Sequence, residues 1–306
     1  MSSTLSRLEG RSPALRSGAR GRFVDYCDLA KPRIIALLLV TTAAAMIMAA
    51  HGLPPAGLTL ATLGGGALAA GSAGAFNCFF DRDIDRLMTR TAMRPLATGR
   101  IAPRDALLFA SLMGVAGFAV LFVLANPLAA WLSLAGNLYY VAIYTLWLKR
   151  TTTMNIVIGG AAGAVPPLVG WAAVTHTVGA PALGLFALIF LWTPPHFWAL
   201  ALMADTDYHK AGIPMLPNVR GAAHTKRAIF AYSVILVAVS LALTPLGVMG
   251  WWYFVPAALL GALFIFDAWK ILHGPTKPLA RVLFKYSLLY LALMCAAMVV
   301  DRIIAR

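Results

Sequence analysis

Apolar residues run through this chain in long blocks separated by short polar breaks, and the length of the blocks decides the fold class. IIALLLVTTAAAMIMAA, at 34–50, carries no charge, and blocks of similar length recur to the C-terminus. Roughly twenty such residues span a bilayer as a helix. Barrel strands would alternate strictly, and that alternation is missing. Helices and closed barrels are the only structures that satisfy the backbone inside lipid. The pattern therefore predicts an all-α polytopic membrane protein with nine transmembrane helices around a central cavity. Their expected limits are 34–52, 58–80, 105–124, 127–147, 154–174, 180–203, 228–247, 251–270 and 282–300. Residues 1–22 read as a disordered basic N-terminal tail, and 23–306 as one transmembrane domain.

Composition agrees with this class, since 60% of the residues are hydrophobic and 12% charged, a balance no soluble domain of this length needs. Charge then orients the bundle. With these spans, 23 of the 25 Lys and Arg residues fall on one face, leaving only Arg302 and Arg306 for the other. Basic loops stay on the cytoplasmic side, so the N-terminus and the two long polar loops are expected there. The net charge of +14 is a topology signal and an attraction for anionic lipid or substrate. Nucleic acid is not an expected partner, because the basic residues sit on short loops between spans. MSSTLSRLEGRSPALRSGARGR at the N-terminus lacks the apolar core of a secretory signal. Its composition suits a cytoplasmic tail and a mitochondrial presequence alike. The bacterial inner membrane is the expected location, with the mitochondrial inner membrane also open. Cys27, Cys78 and Cys295 form no CxxC pair and suggest neither disulfides nor zinc.

Two connections on the cytoplasmic side are long and polar: 81–104, after the second span, and 204–227, after the sixth. Five of the chain's eleven acids, Asp81, Asp83, Asp85, Asp205 and Asp207, cluster at their beginnings. Acids that merely solvated helix ends would be spread among the loops. The placement suggests an internal duplication of a helical hairpin. On a helix, Asn77, Asp81 and Asp85 share one face within about 80°, while Asp83 points away. Two carboxylates and an amide oxygen form a hard-oxygen set suited to Mg²⁺, which needs few protein ligands when phosphate oxygens and water complete its shell. Arg82 and Arg86 flank the same helix, with Arg90, Arg94 and Arg100 beyond, and arginine's planar fork suits phosphate. The second segment, MADTDYHKAGIPMLPNVRG, offers Asp205, Asp207, Tyr208 and Lys210. Asp205 and Asp207 diverge by about 200° on a continuous helix. Either the helix unwinds there or one acid alone is a ligand, Asp207 being the choice. Pro214 and Pro217 suggest an ordered lid or cavity wall.

A metal–diphosphate clamp at the mouth of a lipid-embedded cavity implies an amphiphile with a charged head and a hydrocarbon tail, which describes an isoprenyl diphosphate. Its ionisation needs charge stabilisation at the leaving group. The allylic cation needs dry walls and aromatic faces. Phe79, Tyr139, Tyr140, Tyr144 and Trp192 are available, although each also fits ordinary packing. A transporter of an anionic substrate is the rival from another class, but transport needs access from both faces and the polar residues here crowd one.

The Asn77-x3-Asp81-x3-Asp85 pattern, the second aspartate segment and the nine spans resemble the UbiA-type intramembrane prenyltransferases. DYCDLAKPRI (25–34), NCFFDRDIDRLMTRTAMRPLATGRI (77–101), YTLWLKRTTTMNIVIGGAAGAVPPLVGW (144–171), LWTPPHFWALAL (191–202) and DYHKAGIPMLP (207–217) look like the protohaem IX farnesyltransferase branch of that family. The resemblance implies transfer of farnesyl from farnesyl diphosphate to a vinyl group of haem b, with water adding to give haem O. Haem O serves haem-copper terminal oxidases directly or through haem A, so a haem A synthase or a terminal oxidase is an implied partner. The resemblance also gives Asn77, Asp81 and Asp85 the magnesium–diphosphate role. Arg90 and Arg94 match diphosphate-binding positions, Lys149 and Arg150 match a basic pair at the next cytoplasmic loop, and Asp207 matches the family's Asp-Tyr. With Arg86 and Lys210 these make six expected diphosphate-binding cations. The DxD-Tyr here departs from the DxxxD of many relatives, which leaves a second metal site less determined. His196 is an ionisable residue inside a span, a functional sign by default. It follows Pro194-Pro195, which should break or kink the helix. It either contacts the haem, at the iron or a propionate, or hydrogen-bonds the carbonyls that the prolines free. Asn155 and Lys31 are further polar picks. A quinone-precursor or chlorin ring is the alternative acceptor, and a non-catalytic haem-handing assembly factor would have no use for the clamp.

Overall fold

The computed structural model describes residues 19–304. Most of the expected tail lies outside the described residues, but its last turn does not: α1 begins at Ala19 (Ala19–Ala30). Helices follow as α2 (Pro32–Ala50), α3 (Ala56–Phe80), α4 (Arg82–Asp85), α5 (Pro103–Leu124) and α6 (Pro127–Leu138). After a π-helix at Tyr139–Leu148 come α7 (Lys149–Thr151), α8 (Asn155–Thr175), α9 (Ala180–Met203) and α10 (Asp205–Lys210). The chain ends with α11 (Leu216–Ala242), α12 (Trp251–His273) and α13 (Thr276–Ile304). No strand occurs among the described residues. Eight helices are long and apolar enough to cross a membrane, and this is an integral membrane protein. Large apolar side chains such as Leu60, Val115, Val123 and Leu259 are more than 60% exposed within these helices, as lipid-facing positions require.

The expected span at 127–147 is built differently from the rest. Pro127 starts α6, and the Asn126 side chain accepts from Ala129 N–H at 2.9 Å, an ordinary N-cap. The same Asn126 donates to Ala172 O at 2.7 Å, which fixes the start of α6 to the end of α8. After twelve residues the α-helix gives way to ten residues of π-helix. Among the described residues eight single α-helices, not nine, therefore meet the length of a span. Within the π-helix, Thr145 Oγ1 donates to Tyr140 O, five residues back, at 2.9 Å. Such segments are rare and often mark functional sites.

Three other expectations need correction. The segment 204–227 is not one long loop, because α10 and the first turns of α11 occupy most of it. α11 starts about twelve residues before the expected span and is broken at Gly221 (φ 78°, ψ 164°), a conformation open to glycine. α9 is not broken at Pro194-Pro195 but continues to Met203. Proline still removes two N–H donors there, at a cost tolerated inside a bundle.

Small residues bring the site-bearing helices together. α3 packs against α5 and against the end of α1 through GGGALAAGSAGAF. A Cβ on Gly74 would stand 2.9 Å from the carbonyl oxygen of Ala30. That contact presses Lys31 onto α3 about one turn before Asn77. The main core joins α8, α9, α11, α12 and α13, and it also takes Ile84 and Met88 from the first aspartate segment and Tyr208, Ile213 and Met215 from the second. Both segments are thus anchored by apolar side chains in one core, as GIPMLP leads one to expect.

Candidate active site

α3 ends at Phe80, and Asp81 (φ −90°, ψ 2°) leads directly into α4. The i→i+4 ladder survives the junction: Asp81 N–H donates to Asn77 O at 2.9 Å and Asp85 N–H to Asp81 O at 2.8 Å. Helical phase is therefore kept, and three side chains turn inward together, with Asn77 4%, Asp81 0% and Asp85 1% exposed. Asp83 stays outside, its side chain 60% exposed, and pairs with Arg150 through two 2.8 Å contacts. Hydrogen bonds from Arg150 are the chief reason its carboxyl is held at about 2. A carboxylate depressed in this way adds stability above its unfolded value of 3.8 and loses it as pH falls through 2. Exposure shrinks that contribution, so Asp83→Asn is expected to cost less than about 1 kcal/mol in a thermal melt and to leave turnover near wild type.

Each inward side chain is met by a cation from elsewhere in the chain. Lys31 Nζ donates to Asn77 Oδ1, and Lys149 Nζ donates to Asp81 Oδ2. Arg94 Nη1 donates to both Asp85 oxygens, at 2.9 and 2.7 Å. Asn77 uses its amide N–H groups on Asp81 Oδ2 (2.7 Å) and Thr145 Oγ1 (3.0 Å). Three cations against two buried carboxylates leave this cluster net positive, which favours an anionic ligand. Lys31 itself has φ 62°, a left-handed conformation that is uncommon outside glycine. It is held by its place between α1 and α2 while its side chain reaches Asn77, and strain of this kind concentrates at functional sites.

The second segment meets the first one. Asp207 accepts from the backbone N–H of Arg90 at 3.2 Å and from Thr89. Slight desolvation raises the Asp207 carboxyl, but these hydrogen bonds outweigh it and the net shift is downward. Arg90 Nη2 lies 3.4 Å from the Tyr208 hydroxyl. The Asp205 side chain lies outside the described residues. Arg86 donates to Ala97 O at 3.0 Å and braces the first loop on its exposed side. Lys210 is exposed at the end of α10. Arg150, besides its Asp83 pair, lies 3.8 Å from Asp81 Oδ1. Of the six expected diphosphate cations, Arg94, Lys149 and Arg150 reach the buried acids, Arg90 and Lys210 border the second segment, and Arg86 faces away.

His196 is buried, with Nδ1 2.7 Å from Ser287 Oγ. Ser287 gives its own proton to Phe284 O at 2.8 Å, which suits Nδ1 as the donor to Ser287 Oγ. The ring stacks between Trp192 (4.2 Å) and Phe284 (4.6 Å). Its partner is α13, not the carbonyls freed by the prolines, which removes that structural explanation. Trp192 donates to Ser287 O at 2.7 Å and Tyr139 to Ile158 O at 3.0 Å, so both have packing roles. Phe79 lies under Arg82 at 4.7 Å. Tyr140 and Tyr144 stack at 5.4 Å on the π-helix that carries Thr145 and leads into Lys149. Asn155 donates to Thr152 O at 2.7 Å, and its buried Oδ1 has no hydrogen-bond partner.

A family model for UbiA prenyltransferases matches residues 38–294. The chain belongs to the UbiA prenyltransferase family. A protein from Gloeobacter violaceus named protoheme IX farnesyltransferase is 55% identical over 300 residues, covering 98% of this chain and 97% of that one. A UbiA homologue from Archaeoglobus fulgidus bound to DMAPP and Mg²⁺ superposes with a TM-score of 0.68 at 19% identity, over 90% of this chain and 99% of the other. A digeranylgeranylglyceryl phosphate synthase gives a TM-score of 0.76 at 20% identity, over 92% and 99%. At these identities the two structures establish a shared fold. This chain is thus a membrane prenyltransferase.

The buried residues of this UbiA chain fit a hard divalent cation. Asp81 Oδ1 is fully buried yet accepts no hydrogen bond among the described residues, with the Arg150 guanidinium 3.8 Å away, an acceptor with room for a closer cation. The donors are oxygens, the ligand type of a hard cation, although the described residues contain no group of three or more His, Cys, Asp or Glu placed to hold a metal ion by themselves. Sequence reasoning missed Thr145. Its only sequence signal is a polar residue within the apolar run YYVAIYTLWL.

Proposed function

We propose that this chain catalyses Mg²⁺-dependent transfer of a farnesyl group from farnesyl diphosphate to a vinyl group of haem b, giving haem O. The observation that carries the reading is the buried trio Asn77, Asp81 and Asp85 beneath Lys31, Lys149 and Arg94. The acceptor assignment draws support from 55% identity, along nearly the whole chain, to a protein named for protoheme IX farnesylation. Asn77, Asp81 and Asp85 are the proposed Mg²⁺ ligands, with Asp207 contributing from the second segment. When bound, Mg²⁺ supplies Lewis-acid stabilisation of the diphosphate leaving group.

The protein's own groups do the rest. Arg94, Lys149 and Arg150 orient the diphosphate and Arg90 and Lys210 draw it in from the second segment, while Arg86, turned away, braces the loop that carries Arg94. The C1–O bond of the allylic diphosphate breaks, and its electron pair leaves on oxygen, where Lys149 and Arg94 offset the growing charge. The vinyl π electrons bond to farnesyl C1, and the positive charge passes to the carbon beside the porphyrin ring. Water adds there and loses a proton, giving the hydroxyethylfarnesyl chain. The stacked Tyr140 and Tyr144 rings shield the allylic cation. His196, stacked between Trp192 and Phe284, orients the haem through its iron or a propionate. In the proposed setting the aspartate face is cytoplasmic, in a bacterial inner membrane, and haem O passes to a haem-copper oxidase or a haem A synthase.

The test is an assay in membranes with haem b, farnesyl diphosphate and Mg²⁺, reading haem O by mass spectrometry. Haem O is expected, and EDTA is expected to abolish it. Prenylation of a quinone precursor in place of haem b would remove the acceptor assignment and keep the clamp. No consumption of any prenyl diphosphate by folded protein would remove both.

A further inference from the structure

Where α11, α12 and α13 meet on the aspartate-bearing face, positive charge is organised in a second way. Around the aspartates, cations end on acids: Arg94 on Asp85, Lys149 on Asp81, Arg150 on Asp83, Arg100 on Asp25. In the other corner Arg220, Lys226, Arg227, Lys277, Arg281 and Lys285 form no ion pair among the described residues. Asp267 is the sole acid between Asp207 and Asp301, and Lys270 lies 3.5 Å from it. Six cations without an internal counterion make a site for an external anion.

The corner also has a cavity. Just past the break at Gly221 lies a space of about 350 Å³, with Lys226 and Arg227 of α11 on one side and Leu272, His273 and Thr276 of the α12–α13 turn on the other. Lys226 spends one donor on Gly274 O at 3.0 Å and has two left. Arg227 is exposed, with no ion pair among the described residues. From the cavity rim Lys277, Arg281 and Lys285 continue at i, i+4 and i+8 along one exposed stripe of α13. The exposed surface of α12 is apolar and aromatic, with Leu263, Phe266 and Trp269 each about half exposed. Trp269 packs against His273 at the cavity, 4.9 Å between rings, as aromatic side chains do at the level of lipid head groups.

We propose that this cavity binds the phosphodiester head of an anionic phospholipid, whose acyl chains lie along α12 and α13. Basic pockets between transmembrane helices suit acidic head groups. Free phosphate would satisfy the charges and leave the apolar wall without a partner, so the lipid is the better occupant. A head group held there would tie the part of α11 that follows the Gly221 break to the α12–α13 turn.

The test uses the full chain, purified in neutral detergent and stripped of lipid. Phosphatidylglycerol, phosphatidylcholine and inorganic phosphate are added separately, with thermal shift and native mass spectrometry as readouts. Phosphatidylglycerol alone is expected to raise the melting temperature and remain bound. Arg227→Gln is expected to weaken it about fivefold, and Lys226→Gln with Arg227→Gln further, in line with about 1 kcal/mol per surface cation. Arg104→Gln, 92% exposed on the same face, serves as the control and is expected to change nothing. Arg227 is exposed and has no ion pair among the described residues, so the single variant is decisive if the double one fails to fold. Equal stabilisation by phosphatidylcholine, or an unchanged Arg227→Gln, overturns the proposal. A phosphate effect matching that of the lipid would leave a free-anion site and overturn the lipid assignment.

Discussion

Asp81→Asn is expected to lower haem O formation by about 10²- to 10³-fold, the loss typical of removing one group that stabilises charge in the transition state. The substitution is nearly isosteric. The new amide oxygen still accepts from Asn77 and Lys149, which now meet at Asp81 Oδ2. What disappears is the formal charge and the orphaned acceptor Oδ1, replaced by an N–H₂ group unable to hold a cation. The fold should therefore persist while the clamp fails. Asp83→Asn is the internal control, two residues along the same short helix, with a carboxylate turned out to Arg150. Initial rates at saturating Mg²⁺, with circular dichroism as the folding check, compare the two. Equal rates for Asp81→Asn and wild type would show that the buried carboxylate is not part of the reaction.

The first aspartate segment was legible in the sequence because one local rule, helical phase, decides which of its acids face inward. The junction at Asp81 keeps that phase through the bonds from Asp81 N–H to Asn77 and from Asp85 N–H to Asp81, so periodicity and structure agree on Asn77, Asp81, Asp85 and Asp83. The cations around them were less legible. Lys31 meets Asn77 across 46 positions, and Lys149 meets Asp81 across 68. No periodic signal encodes such pairings, which follow from close packing of α1 and the π-helix on α3. The π-helix itself was hidden, because an apolar run such as YYVAIYTLWL reads alike for either helical pitch. The second segment misled for a related reason. Its polarity suggested a loop, yet Leu216 already starts α11, and one glycine with positive φ absorbs the change of direction.

The site can also be described by its charge balance. Asp85 is 1% exposed, and Arg94 is the only ion-pair partner it has among the described residues. The buried carboxylates are thus compensated by side chains, and under the proposed function Mg²⁺ with diphosphate would exchange these partners. In such an exchange Arg94 and Lys149 would turn from the carboxylates, and Lys31 from the Asn77 amide oxygen, to the phosphate oxygens, leaving the acids to the cation. This accounts for why basic side chains and proposed ligands are found in contact here.

That exchange has a measurable consequence at Arg94. Arg94→Ala leaves Asp85 buried without its counterion, and breaking such a pair from one side costs about 3 kcal/mol, the low end of the usual range because the arginine is partly exposed. The melting temperature in detergent should fall accordingly. Adding Asp85→Asn should recover most of the loss, since the uncompensated charge is then gone, while haem O formation stays absent. Mg²⁺ supplies the discriminating arm. If Asp85 is a metal ligand, the ion becomes its substitute counterion, and Mg²⁺ should raise the melting temperature of Arg94→Ala more than that of wild type. It should have no such effect on the double variant. A Mg²⁺ response equal in all three proteins would mean that Asp85 serves only to hold Arg94 and the first loop in place.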